Sequence, residues 1–334
     1  MSSNYNVMLE AYNAWPINAM SSFAKAISVT LPASYSSVDH ILVCGMGGSG
    51  VIGDYLRVLS DKYGWVPVKV VKDYRIPIWV STRTLALIIS YSGNTIETLK
   101  CYNFCRERGA KIIAITSGGR LGELCREHGT PVVYVPKAPA ARTAFASMFY
   151  ASLGLLMELG VLGVSRSEVD KSIEAMRKIS INDTIVRKLA ELVSSRIPVV
   201  TTILDYEPLA IRMKNELNEN TKIQAKVEIL PEWGHNDIEG WTNPIAGNSH
   251  IFIILDPGEE PETSILGIAR EVYSKVSRVE VVELYGSTLL QKLAWGTLFA
   301  AYVSLEASKI RGIDPLSTGM IKEYRNRINT LIGF

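Results

Sequence analysis

The feature that most constrains this chain is a repeated alternation of short apolar runs with stretches of helical periodicity. In the first half the runs fall at 40–44 (HILVC), 68–71, 85–89, 111–115 and 132–135. Helical patterns lie between them at 51–59 and 96–108, and a long apolar helix at 140–162 closes this half. The second half repeats the scheme, with strand-like runs at 198–204, 225–230, 250–255 and 278–284 and helical patterns at 208–220, 262–276, 288–309 and 318–331. Strands separated by helical stretches need crossover connections, which produce parallel sheets with helices on their faces. The charged helical stretch at 165–178 marks the connection between halves. The expected fold is α/β, with two doubly wound parallel-sheet domains at 1–160 and 161–334 and flanking helices. Ligands in such sheets sit beyond the carboxyl ends of the strands, near the point where strand order reverses.

Composition narrows the partners. The chain has 334 residues, 47% hydrophobic and 20% charged, which suits a sizeable core and excludes a disordered chain. Lys and Arg total 35 against 33 Asp and Glu, so no basic excess points to nucleic acid. The longest apolar stretch, 144–157, contains Ser147 and Ser152 and falls short of the roughly 20 residues that span a bilayer. The start, MSSNYNVMLEAYNAWP, lacks the charged and apolar regions of a signal peptide. Cys44, Cys101, Cys105 and Cys125 have no zinc-site spacing. They read as reduced thiols of a cytoplasmic protein, and no metal or organic cofactor is implied.

Two strand-to-helix loops carry the chemistry. GMGGSG (45–50) could cradle an anion with its amides at a helix N-terminus, or serve only as a tight turn. Its glycines fit the G-x-G-x-x-G spacing, but no well-placed acidic residue follows the next strand-like run apart from Asp73, which weakens a dinucleotide-binding oxidoreductase reading. SYSGNTIET (90–98) places Ser90, Ser92 and Thr95 around Gly93. Hydroxyls and helix amides suit a phosphate without a lysine. An ordinary helix cap explains part of this loop, but does not require three hydroxyls and a glycine.

On these residues the chain resembles the sugar-isomerase (SIS) domain family, and within it the bifunctional phosphoglucose/phosphomannose isomerases of archaea. PAART (139–143), LNENTK (217–222) and EWGHND (232–237) extend the resemblance over two SIS-like halves. It implies an aldose–ketose isomerase that interconverts glucose 6-phosphate, and mannose 6-phosphate, with fructose 6-phosphate through a cis-enediolate. It implies that Ser90, Ser92 and Thr95 hold the phosphate, that Gly48 and Ser49 approach the sugar, and that Arg142 is the family's arginine. Glu219 matches its base and His235 its ring-opening histidine. A catalytic role falls to Lys322, which matches the family's C-terminal lysine by type, or to Arg325, which matches it by position, and Thr318 would lie near C2. A homodimer with His235 lent in trans is implied, with small sugar phosphates as partners.

The residues themselves leave alternatives open. Enediolate chemistry needs a carboxylate base, a stabiliser of the enediolate and an acid/base for ring opening. Glu219, between Asn218 and Asn220, fits the base or a solvated helix end. His235 lies in a loop, where histidines are more often functional than in a core. The strand at 225–230 separates it from Glu219, and in a parallel sheet that crossing is expected to return the loop to one shared carboxyl edge. Arg142 among alanines is an anion partner or a surface arginine. A sugar-phosphate-sensing SIS protein without catalysis and another SIS sugar-phosphate isomerase are the remaining rivals.

Overall fold

The computed structural model describes residues 3–244 and 249–332. Helices α1 (Ser3–Asn13) and α2 (Trp15–Ile27) precede β1 (His40–Cys44), α3 (Gly47–Tyr63), β2 (Val68–Val71), β3 (Thr84–Ser90), α4 (Ile96–Glu107), β4 (Lys111–Thr116), α5 (Gly119–His128), β5 (Val132–Tyr134) and α6 (Phe145–Glu158). After α7 (Arg166–Met176) and α8 (Thr184–Ser194) come β6 (Ile197–Ile203), α9 (Glu207–Glu216), β7 (Lys226–Leu230), β8 (His250–Asp256), α10 (Glu262–Ser274), β9 (Arg278–Glu283), α11 (Leu289–Ile310) and α12 (Gly319–Ile332). Among the described residues no helix is long and apolar enough to cross a membrane.

Two compact units result. One comprises 13–166 with 318–332, the other 3–12 with 167–317. The division expected near 160 thus lies close to one of the three passages between units, while each terminal helix belongs with the other half's sheet. Local chemistry explains both exchanges. In the second unit Tyr12, at the end of α1, donates to Glu216 Oε2 at 2.7 Å, and Asn4 donates to the Asp314 carboxylate. In the first unit α12 shares a cleft with the loop after β3.

The first unit holds a parallel sheet of order β2-β1-β3-β4-β5. β3 (TLALIIS) is buried at every position, as a central parallel strand covered on both faces must be. Strand order reverses between β1 and β3, so the loops after these two strands flank the switch point. Gly53 of α3 lets the helix lie close on β1 and β2, because a Cβ there would fall 2.7 Å from Val70 Cγ1 of β2 and 3.1 Å from Val43 Cγ1 of β1. The long apolar helix expected at 140–162 is shorter, since a 3₁₀ turn at Ala141–Ala144 precedes it.

The second unit holds a parallel sheet of order β7-β6-β8-β9. The stretch read as a connection folds as α7, and α8 follows it with Val186, Leu189, Ala190 and Val193 buried on one face. α11 is buried along nearly all its length, as the central helix of the unit.

Candidate active site

The glycine-rich segment is not a loop followed by a helix. α3 already begins at Gly47, so Gly45 and Met46 alone connect strand to helix and 47–50 form the helix's first turn, with the glycine amides at its positive end. Close approach explains the glycines. A Cβ on Gly50 would lie 2.6 Å from the Gly45 carbonyl oxygen, and Gly47 has φ +53°. Gly48 faces the backbone of Arg142, where a Cβ would sit 3.5 Å from both N and Cα. Arg142 is buried, only 4% exposed. The surface-arginine alternative is therefore excluded.

The hydroxyl loop is fixed to its neighbours. Ser90 Oγ donates to Thr95 Oγ1 at 3.3 Å, and Ser92 Oγ accepts from the Asn94 amide at 3.2 Å. The Tyr91 amide donates to Ser49 Oγ at 3.3 Å, which ties this loop to the glycine segment. Gly93 is required by two facts. Its φ is +68°, and a Cβ would fall 1.8 Å from the Gly118 carbonyl oxygen. Thr95 caps α4 through its backbone alone, with no side-chain cap bond. The Thr95 hydroxyl thus makes no capping bond and meets Ser90 instead.

A cleft of about 320 Å³ opens against this loop, lined by Ser92, Asn94 and Thr95 on one side and by Lys322 and Arg325 of α12 on the other. The sequence alternatives Lys322 and Arg325 thus face the same cleft. Asn326 and Asn329 join them, four and seven residues after Lys322. The sequence reading missed these two, although that spacing marks one helical face. Thr318 accepts from the Lys322 amide at 3.1 Å, at the start of α12. The first unit therefore places Ser92, Thr95, Lys322 and Arg325 around one cleft, with Ser90 bonded to Thr95, Ser49 tied to the same loop through Tyr91, and Gly48 packed on Arg142; Thr318 is not among the residues that line the cleft.

Glu219 and His235 lie in the second unit. Glu219 sits half-buried in a π-helical turn, Leu217–Thr221, that ends α9. Such wide turns are frequent at functional positions. Beneath it Asn220 donates to Tyr12 at 3.1 Å, Glu216 at 3.0 Å and Ser304 at 2.8 Å, and Arg212 pairs with Glu216 in full burial. Lys222 takes φ +57° and its ammonium donates to the Glu219 carbonyl. His235 is exposed, at the end of the 3₁₀ turn Glu232–His235. Two other carboxylates of this stretch, Glu216 and Glu228, are each 1% exposed and fully engaged with donors.

One expectation is corrected here. The turn of Glu219 comes just before β7 and His235 just after it. β7 runs parallel to β6, so the two residues stand at opposite ends of one strand rather than at a shared carboxyl edge. Five strand residues put about 17 Å between those ends. Among the described residues no cluster of His, Cys, Asp and Glu is arranged to hold a metal ion.

Comparison with known proteins adds to this geometry. Residues 34–162 match the SIS domain, and residues 183–328 match the bacterial phospho-glucose isomerase C-terminal SIS domain. The chain is 33% identical over 291 residues to the bifunctional phosphoglucose/phosphomannose isomerase of Pyrobaculum calidifontis, covering 86% of this chain and 88% of that one. With the protein of the same description from Aeropyrum pernix it shares 30% over 331 residues, covering 96% and 98%. It is also 28% identical to the D-glucosamine-6-phosphate 4-epimerase of Sulfolobus acidocaldarius, covering 93% of this chain and 95% of that one. Among solved structures, the C-terminal domain of glucosamine-fructose-6-phosphate aminotransferase from Francisella tularensis superposes with a TM-score of 0.75 at 18% identity, covering 93% of this chain and 97% of that one. With two SIS-type sheets, a hydroxyl-lined loop at the first switch point and this likeness along nearly its whole length, the chain belongs to the family of bifunctional phosphoglucose/phosphomannose isomerases.

Proposed function

We propose that the protein is an aldose–ketose isomerase that interconverts glucose 6-phosphate and mannose 6-phosphate with fructose 6-phosphate. The observation that carries this reading is the near full-length likeness to relatives of that description. The test is direct. Fructose 6-phosphate given to the pure protein, with no added cofactor or amino donor, should yield both glucose 6-phosphate and mannose 6-phosphate. Binding without turnover would instead favour a sugar-phosphate sensor.

In the proposed mechanism the phosphate sits on the hydroxyls of Ser90, Ser92 and Thr95 and on the first amides of α4, with the positive helix end adding to the attraction. Lys322 or Arg325, across the cleft, fills the catalytic position of the family's C-terminal lysine. Gly48 and Ser49 approach the sugar, and Arg142 stabilises the developing enediolate charge. His235 shuttles the proton that opens the ring. Glu219 then takes the C2 proton, leaving a cis-enediolate, and returns it to C1 as the O1 and O2 protons exchange. Thr318 stands near C2, where glucose and mannose differ.

The proposed assembly is a homodimer. Glu219 and His235 of one chain stand at opposite ends of β7, so the His235 that serves a given Glu219 comes from a second copy. The proposed compartment is the cytoplasm, which the four free buried thiols suit.

A further inference from the structure

Beneath the His235 turn lies a charged group that the proposed mechanism does not use. Glu228 of β7 has a fully buried side chain. Its carboxylate receives three donors from three different segments. Lys226 Nζ of β7 is at 2.6 Å, Trp241 Nε1 is at 3.1 Å and 3.3 Å from its two oxygens, and the Tyr273 hydroxyl of α10 donates to Oε2. Thr201 Oγ1 of β6 completes the chain, 3.0 Å from the Tyr273 hydroxyl. Burial, and then the adjacent carboxylate, push the Tyr273 phenol far above its ordinary value, which keeps it a donor.

The same network holds the segment that carries His235 at three points. Trp233 is buried with its ring 5.4 Å edge-on to Tyr273. Asp237, two residues past His235, accepts from Lys226 Nζ at 3.0 Å. Trp241 bonds to Glu228 directly and packs edge-on against Phe252 at 4.8 Å. Each anchor reaches Glu228 or a donor bound to it, and His235 stands exposed between them. A buried carboxylate is an expensive way to gain stability, since apolar residues of similar volume hold a fold at least as well. Its directional bonds to three segments fix the turn in one position.

We infer that Glu228 is a positioning residue for His235, acting through the turn at 233–241 to hold the imidazole where ring opening occurs. This rests on the ring-opening role proposed above for His235. The readout is enzyme-catalysed exchange between the anomers of fructose 6-phosphate, followed by NMR, because it reports ring opening without C2 chemistry.

Glu228→Gln should slow anomer exchange on the order of 10²-fold, with KM within twofold of wild type. In the His235→Ala background the same substitution should slow it by less than a further twofold, because it acts through a side chain already removed. Trp241→Phe keeps the ring packing, removes only the Nε1 donor and should slow exchange at least about threefold. It carries the test if Glu228→Gln does not fold. Wild-type anomer exchange in Glu228→Gln, or in Trp241→Phe where only that variant folds, overturns the inference. So does an equal loss with and without His235. If His235→Ala itself exchanges anomers at the wild-type rate, the ring-opening assignment falls and takes this inference with it. If His235→Ala is slow and Glu228→Gln is fast, only the inference falls.

Discussion

The two units carry their candidate groups in opposite ways. In the first, they are backbone amides and short hydroxyls at one switch point, locked by Gly93, by the Tyr91–Ser49 bond and by the packing of Gly48 on Arg142, together with the permanently cationic or basic side chains Arg142, Lys322 and Arg325. In the second, they are two titratable side chains on turns at opposite ends of β7. Binding an anion needs many fixed dipoles close together, which a single sheet edge provides. Moving protons needs a carboxylate and an imidazole whose spacing this unit alone does not supply. The contrast predicts that changes in the hydroxyl loop of the first unit weaken binding, while changes at Glu219 stop chemistry.

The largest expected effect is at Glu219. Glu219→Gln keeps shape and hydrogen bonding but removes basicity, so kcat should fall by roughly 10² to 10⁴ with KM nearly unchanged. Solvent-deuterium exchange at C2 should fall equally, and wild-type exchange would remove Glu219 as the base. Neither Glu216 nor Glu228, both buried and engaged, is then available to replace it. Next comes Gly93→Ala. It forces a Cβ into the Gly118 carbonyl at a positive φ and should cost about 2 kcal/mol or more of stability, read as a lowered Tm.

Ser92→Ala should raise KM about tenfold with a smaller change in kcat, since phosphate contacts exist in ground and transition states alike. An unchanged KM in alanine variants at Ser90, Ser92 and Thr95 would dissolve the contrast between the units. The smallest effect is expected at Glu280, a scaffold carboxylate of the second unit. Burial raises its pKa, but Lys188 at 2.6 Å and Arg278 at 2.9 Å outweigh burial and hold it below the ordinary glutamate value. A depressed folded-state pKa adds stability above the unfolded pKa and loses it as pH falls through the folded one. Glu280→Gln should therefore cost about 1 kcal/mol near neutral pH, less in acid, and leave kcat and KM unmoved.

Much of this was legible in the sequence, for identifiable reasons. Parallel strands buried on both faces read as continuous apolar runs, so β1 matches its expected limits and β3 differs by a residue at each end, while β2, an edge strand with Lys69 exposed, also matches. The hydroxyl loop was legible because its composition exceeds what a helix cap needs. The start of α3 was placed late because glycines disfavour helix, and here close packing overrides propensity. α5 (GRLGELCREH) was missed, being short, polar and interrupted by Gly122. The membership of α12 was not legible either, because none of its residues is buried and its polar face, not an apolar stripe, lines the cleft. The opposite placement of Glu219 and His235 was available in principle. One turn precedes a strand and the other follows it, and that order alone sets them at its two ends.

The most direct test of the account is complementation between two dead variants. Glu219→Gln and His235→Ala chains, coexpressed and isolated together, form mixed dimers. If His235 serves the partner's Glu219, each mixed dimer keeps one intact pair. Random assortment then restores about one quarter of wild-type activity. Activity no higher than that of either variant alone would contradict the shared pair and, with it, the reading of β7 as the element that keeps the two residues of one chain apart.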